Sequence, residues 1–185
     1  MHTSIQRIQQ TFSQASTVLS IIAAIVFVVS YIQLVVANVW SLPEANFNLR
    51  GSKAARRFSR QYGANDPKKG KENVALKFDL DADLSPLFNW NTKLVFAYLT
   101  ATYDGKRDDI VNEITIWDQI ITDKDDSHIK LKGANSKYSL YDVEESFRNR
   151  NATVKLHWNI QPHVGAKIYG SLDATKGSVK FPQLV

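Results

Sequence analysis

A long uncharged stretch near the N-terminus is the strongest constraint that this sequence sets. Residues 8–43 contain no Asp, Glu, Lys or Arg, and within them residues 18–36 are almost entirely apolar. As a helix, the apolar run would be about 28 Å long, close to the ~30 Å hydrocarbon core of a bilayer. Lipid offers no partner for free backbone groups, so a helix is the form in which such a run crosses. We therefore predict a transmembrane helix over residues 18–37, after a short segment formed by residues 1–17.

Two other interpretations of the apolar run are open. A cleaved signal peptide would use Arg7 as its charged region and Val35-Val36-Ala37 as a small-residue cleavage site. The run is longer than the usual apolar region of a signal peptide, which favours a retained anchor. A buried core helix would usually be shorter and would carry a polar stripe on one face.

Basic residues are concentrated directly after the apolar run. Residues 44–71 contain eight Lys and Arg against Glu44 and Asp66, interrupted by Gly and Pro, so residues 38–72 are predicted to be an irregular basic juxtamembrane arm. The arm is either a solvated spacer or a contact for anionic lipid headgroups. Nucleic acid is not an expected partner, because the chain is tethered and residues 72–185 carry 14 basic and 16 acidic groups.

The orientation of the anchor is left open by two conflicting signals. Lys and Arg are more frequent after the run than before it, which favours a cytosolic C-terminal domain. The sequon Asn151-Ala152-Thr153 has meaning only if this domain lies on the lumenal side.

The hydrophobic period changes from 3.6 to 2 at about Val74, and alternation of this kind predicts strands with one buried face. The strongest candidates are residues 76–80, 94–99, 113–121 and 153–160, and weaker ones are 129–131, 138–141, 166–172 and 178–181. Residues 94–99 are apolar on both faces, which is typical of a central strand. About eight short strands separated by turn residues predict an all-β fold, an antiparallel β-sandwich over residues 73–185.

The sequence offers little catalytic or metal-binding chemistry. It has no cysteine, no nucleophile elbow, no phosphate-binding loop and no zinc-protease motif. Asp79, Asp81 and Asp83 alternate with apolar residues, so we expect them on the wet face of a strand. His157 should likewise alternate outward, as a solvated residue. We predict no catalytic residue, no metal site and no cofactor.

Four separated segments, in order, carry a resemblance to a known family. They are Asp81-Ala82-Asp83-Leu84 leading to Leu87-Phe88-Asn89-Trp90-Asn91, then Leu99 with Tyr103, then Ile116-Trp117-Asp118-Gln119-Ile120, and last Arg150-Asn151-Ala152-Thr153 followed by His157-Trp158-Asn159-Ile160-Gln161-Pro162. With these segments the chain resembles subunit 3 of the eukaryotic signal peptidase complex, and the long basic arm suggests a fungal-type member.

The resemblance implies a type II single-pass protein of the endoplasmic reticulum membrane, with a cytosolic N-terminus, a lumenal β-domain and an N-glycan at Asn151. It implies a non-catalytic accessory subunit that scaffolds and stabilises a membrane-anchored serine protease subunit. Small membrane subunits of the complex would be further partners, and secretory preproteins would be reached through the complex.

One aromatic segment is our candidate for the contact with the protease subunit. Leu87, Phe88, Asn89 and Trp90 stand just before the predicted central strand, and aromatic anchors are typical of assembled interfaces. Ordinary core or loop packing is the competing interpretation. The alternative function is a membrane-tethered β-sandwich that binds lipid or a trafficking partner.

Overall fold

The computed structural model describes residues 3–41, 45–58, 70–105, 110–142, 147, 150–175 and 177–182. These residues form one helix, nine strands and two short 3₁₀ turns, at Val39–Ser41 and Ser85–Leu87. The helix is α1 (Ser4–Val36), and the strands are β1 (Asn46–Arg57), β2 (Lys71–Asp83), β3 (Thr92–Asp104), β4 (Val111–Ile121), β5 (His128–Asn135), β6 (Leu140–Tyr141), β7 (Asn151–Pro162), β8 (Ile168–Asp173) and β9 (Val179–Lys180).

Helix α1 is long and apolar enough to cross a membrane, and little of it is buried against the rest of the described chain. It begins at Ser4, well before the apolar run. In its N-terminal half, the hydroxyls of Thr11, Ser16 and Thr17 each donate to the backbone carbonyl four residues earlier. These bonds give the hydroxyls partners within the helix, in a segment that hydropathy alone does not mark.

The strands form two antiparallel sheets, as the alternating pattern predicted. The first has the order β1-β2-β5, with β6 also paired to β2. The second has the order β4-β3-β7-β8, with β9 also paired to β7. Strand β3 contains residues 94–99 and lies between β4 and β7, which confirms the prediction of a central strand.

One hydrophobic core joins the two sheets. The even-numbered apolar residues of β2 and β7 are buried, as a period of two requires: they are Val74, Leu76, Phe78, Leu80, Ala82, Ala152, Val154, Leu156, Trp158 and Ile160. Trp158 is the largest of the fully buried side chains, and its ring lies directly against Gly170 of the neighbouring strand. The alternation of β2 and β7 therefore builds the contact between the sheets.

The segment that we expected to be an irregular arm contains strand β1 instead. Phe47 and Leu49 pack against the core. The ring of Phe47 stacks on that of Phe78, with 5.3 Å between the ring centroids. A bulge between Leu49 and Gly51 then shifts the register with β2, so the period of two is broken within the strand. β1 is also an edge strand with basic residues outside, a composition that protects edges from aggregation. Residues 42–44 and 59–69 of the expected arm lie outside the described residues.

The close approach of Trp158 to Gly170 gives a test of the core. A Cβ at Gly170 would lie 2.0 Å from the Trp158 ring, whereas a Cβ at Gly177 meets nothing within 4 Å. We expect Gly170→Ala to lower the free energy of unfolding by about 1–3 kcal/mol, because it overpacks the core. Gly177→Ala should leave it unchanged or slightly higher. Thermal unfolding of the full chain in detergent measures both variants, and equal melting temperatures would contradict this description of the packing.

Candidate functional site at the helix–sandwich junction

The C-terminal end of α1 is held against the sandwich. Ser30 and Leu34 are the buried residues of the helix, and Val39 of the following turn is fully buried. Leu34 and Val39 belong to the same hydrophobic core as the two sheets. The last two turns of the apolar run are therefore packed on protein on one side. We call this contact region, formed by residues 27–40, 89–91 and 163–169, the junction.

Asn91 is the central residue of the junction. Its side chain is 2% exposed, and Nδ2 donates to Ser30 Oγ at 3.0 Å and to the Val164 carbonyl at 2.8 Å. Its Oδ1 accepts from the Val164 N–H at 3.1 Å, and its own carbonyl accepts from the His163 N–H at 2.8 Å. One neutral side chain thus ties together the helix, the start of β3 and the loop after β7.

Asn89 and Trp90 add two more bonds to the helix. Asn89 Nδ2 donates to the Ser30 carbonyl at 3.3 Å, while Asn89 Oδ1 accepts from the Asn91 N–H at 2.9 Å. Trp90 Nε1 donates to Gln33 Oε1 at 2.6 Å. Ser30 and Gln33, two of the few polar residues within the apolar run, are therefore the two that the domain binds. The bond from Asn91 to Ser30 is buried, and a hydrogen bond is strengthened where water does not compete for it.

Aromatic rings complete the junction on the side of the helix. Phe27, Tyr31 and Trp40 form a row with ring centroids about 6 Å apart, and Trp40 Nε1 donates to the Tyr169 carbonyl at 3.2 Å. Gly165 lies against the Phe27 ring with a φ of 125°, and a Cβ there would be 2.3 Å from the ring. Only glycine fits both this conformation and this distance.

The four residues predicted to contact the protease subunit differ in their exposure. Leu87 is fully buried in the core, so it has no surface to offer a partner and that part of the prediction is corrected. Phe88 packs partly against the core, Asn89 is half-buried, and Trp90 is 57% exposed. The contact with a partner stays a prediction for Phe88, Asn89 and Trp90.

Asn151, the predicted glycan acceptor, is exposed and is the first residue of β7. It pairs with Lys180 of β9, at the opposite end of β7 from Pro162 and the junction. Its position leaves room for a glycan, and modification itself stays a prediction.

The outer face of the first sheet carries solvated charges, as the alternation predicted. Arg50 Nε bonds Asp79 at 2.6 Å, and this bond, with a second from the Gly133 N–H, holds the pKa of Asp79 below its usual value. His128 Nε2 lies 2.8 Å from Asp81. Asp83 Oδ1 accepts from the Ser85 N–H at the start of a 3₁₀ turn, which lowers the pKa of Asp83. The three aspartates are thus explained by ion pairing and capping.

His157 is not the solvated residue that we expected. Its ring stacks on that of Tyr98, with 4.9 Å between the ring centroids. The pKa of His157 is lowered from its usual value, mainly because the ring is partly buried. Its Nε2 lies 2.9 Å from Thr100 Oγ1 and 3.4 Å from Glu113 Oε1. A catalytic triad requires the carboxylate on the other ring nitrogen. Here both partners share one nitrogen and Thr100 is buried, so this cluster lacks the geometry of a nucleophile with its base.

Aromatic rings also line the outer face of the second sheet. Phe96 stacks on Tyr98 at 5.5 Å, and Tyr98 stacks on His157. Ile120 is 60% exposed and Tyr169 is 63% exposed beside them. Within the described residues, no group of three His, Asp or Glu side chains is placed to hold a metal ion. The arrangement is therefore suited to binding and positioning, and we call Phe96, Tyr98, His157 and Tyr169 the aromatic face.

Comparisons with known proteins agree with this picture. A family model described as signal peptidase subunit matches residues 1–184. Signal peptidase complex subunit 3 of Debaryomyces hansenii is 49% identical over 185 residues, which is all of this chain and 96% of that protein. The subunit 3 of Saccharomyces cerevisiae is 41% identical over 92% of this chain and 91% of its own length. The human subunit 3 is 35% identical over 54% of this chain and 55% of its own length.

The Asn91 bonds generate a prediction about the junction. Asn91→Ala leaves the Val164 N–H and carbonyl without partners, so we expect it to lower the free energy of unfolding by about 2–4 kcal/mol. Hydrogen exchange at the Val164 amide should also become faster. Asn135→Ala is the matched control, since Asn135 is exposed on β5 and should change stability by less than about 0.5 kcal/mol. Equal unfolding and equal exchange in the two variants would contradict the role of Asn91.

Proposed function

Because the chain belongs to the signal peptidase subunit family, we propose that it is a non-catalytic accessory subunit of the endoplasmic reticulum signal peptidase complex. In this role it is needed for the removal of signal peptides from secretory precursors, and it scaffolds and stabilises the serine protease subunit. The junction is the observation that carries the proposal. A domain fixed to its own anchor holds a partner at one height and one orientation above the membrane.

The proposed topology is type II. Residues 1–17 lie in the cytosol, the apolar run crosses the membrane and the β-sandwich lies in the lumen, with β1 as part of the folded domain. Two observations support this arrangement. The described part of α1 exposes apolar side chains along most of its length, and the sequon asparagine is exposed at the end of the sandwich away from the junction.

The proposed mechanism is positioning. A tether raises the local concentration of the domain near a membrane-anchored partner. The bonds from Ser30 and Gln33 to residues 89–91 restrict how the domain turns on that tether. Binding between this fixed domain and a partner therefore costs less orientational freedom than binding would cost if the domain were attached by a flexible arm.

Phe88, Asn89 and Trp90 form one part of the proposed contact with the protease subunit. A stable interface buries about 800 Å² on each partner, which is more than three side chains supply. The aromatic face is the best second part, because aromatic side chains are enriched in interface cores. The charged outer face of the first sheet is less suited to this contact, since charged residues are depleted in interface cores.

Glycosylation tests the topology. In cells that express the chain, we expect endoglycosidase treatment to increase its mobility, and Asn151→Gln to remove that change. Asn149→Gln, outside the sequon, is the matched control and should keep the shift. An unglycosylated domain that protease digests from the cytosolic side would contradict the lumenal placement.

Co-purification tests the contact. Trp90→Glu removes an exposed aromatic anchor, so we expect it to weaken binding of the protease subunit by about 2 kcal/mol or more, roughly 30-fold. Trp90→Phe also loses the bond to Gln33 but keeps most of the aromatic surface, and it should retain the partner. The recovery of the protease subunit in mild detergent is measured for both, beside thermal unfolding of each variant. Undiminished recovery with a folded Trp90→Glu chain would contradict the contact.

A further inference from the structure

We propose that residues 163–167, the loop between β7 and β8, contact the lumenal interface of the phospholipid bilayer together with Trp90. We call these residues the junction loop. The inference rests on the proposed function, because it requires that α1 crosses the membrane. It adds a lipid-binding surface on the β-domain itself, which shares Trp90 and Tyr169 with the proposed contact with the protease subunit.

The depth of the loop follows from its contact with the helix. Gly165 lies against Phe27, and a helix rises 1.5 Å per residue, so the contact lies about 13 Å along α1 before Val36. If residues 18–36 were centred in the bilayer, Phe27 would lie at its middle, where an irregular loop facing lipid does not occur. The folded domain instead places the lumenal boundary of the bilayer near residues 27–30 on the side of the helix that faces the loop, while Ile32, Val35 and Val36 remain exposed beyond it.

The N-terminal turns of α1 are compatible with such a shift. Moving the boundary towards Phe27 brings residues 12–17, which the topology based on hydropathy alone leaves in the cytosol, into the bilayer. The hydroxyls of Ser16, Thr17 and Ser20 are already bonded to carbonyls of the preceding turn. These bonds lower the cost of placing the hydroxyls in lipid.

The first two residues of the junction loop have backbone groups that are paired with protein and not with water. The Val164 N–H and carbonyl are both bonded to the Asn91 side chain, and the His163 N–H is bonded to the Asn91 carbonyl. Polar backbone groups enter the membrane interface at low cost only when they have such partners. Asn91 therefore fixes the start of the loop to the helix and also satisfies the backbone groups of Val164 and the N–H of His163.

The side chains around the loop have the character of an interfacial belt. Trp90, Trp40 and Tyr169 are exposed by 57%, 40% and 63%, and Val164 is exposed at the loop itself. Trp and Tyr are enriched where hydrocarbon meets headgroups. Lys167 is exposed at the end of the loop and can reach a lipid phosphate, as long basic side chains do at membrane surfaces. The occupant of this surface is thus phospholipid.

The absence of cysteine from the sequence makes site-directed labelling direct. We would reconstitute the full chain in phosphatidylcholine vesicles with one nitroxide label, at Val164→Cys or at Ala166→Cys. Ser178→Cys is the control at the far end of the sandwich, beside the pair of Val179 and Ala152. Ile25→Cys, an exposed helix position, reports whether α1 crosses the bilayer. Collision rates with oxygen, which partitions into lipid, and with a water-soluble nickel chelate measure the depth of each label.

The inference predicts an oxygen-to-nickel collision ratio at residues 164 and 166 that is several-fold above that at residue 178. Values at 164 and 166 equal to that at 178, with a lipid-like value at residue 25, would overturn the lipid contact and leave the anchor standing. A water-like value at residue 25 would overturn the anchor, and with it the contact. Two loop positions are used so that a local disturbance at one does not decide the result, and circular dichroism verifies that each variant is folded.

Discussion

A polar group that leaves water must find a partner, and this requirement organises the part of the molecule where helix and sandwich meet. Asn91 meets this requirement where α1, the start of β3 and the loop after β7 come together, because its side chain and carbonyl bond Ser30, His163 and Val164. A charged residue in its place would add a large desolvation cost. An apolar residue would leave the groups of Val164 unpaired. A neutral amide, with two donors and an acceptor, fits both conditions.

The two outer faces of the sandwich differ in a way that bears on their use. On the first sheet, Arg50 with Asp79 and His128 with Asp81 form ion pairs that are open to solvent and contribute little stability. Such a face keeps the domain soluble. On the second sheet, rings stacked around Tyr98 lie beside charges, since Asp118 pairs with Lys137 and Glu113 lies 3.4 Å from His157. The rings supply aromatic surface of the kind that is enriched in interface cores. The difference favours the second sheet as the side that assembles.

The strands could be predicted from the sequence where one face is buried, since β2 and β7 alternate over most of their length. β1 could not, because the bulge at Leu49 and Gly51 interrupts its alternation and Ala54 is its only other inward-packed apolar residue. The junction could not be predicted either, since Ser30 and Asn91 are far apart in the chain and no periodicity links them. The signal that was present was the position of Ser30 and Gln33, polar residues within an apolar run. Polar residues at such positions are rarely without a partner.

The same two residues change how the apolar run is understood. Hydropathy treats residues 18–36 as one span, because burial in protein and burial in lipid demand the same side chains. In the structure, Ser30 and Leu34 are buried by the sandwich, whereas Ile21 and Ile25 before them and Ile32, Val35 and Val36 on the other side of the helix end are exposed. One apolar segment therefore serves two environments, because its last two turns pack on the sandwich along one side and the rest of its surface is left for lipid. The transition between them is where the polar residues occur, because there the helix must bind the domain in a specific register, and hydrogen bonds fix register more closely than apolar contacts do.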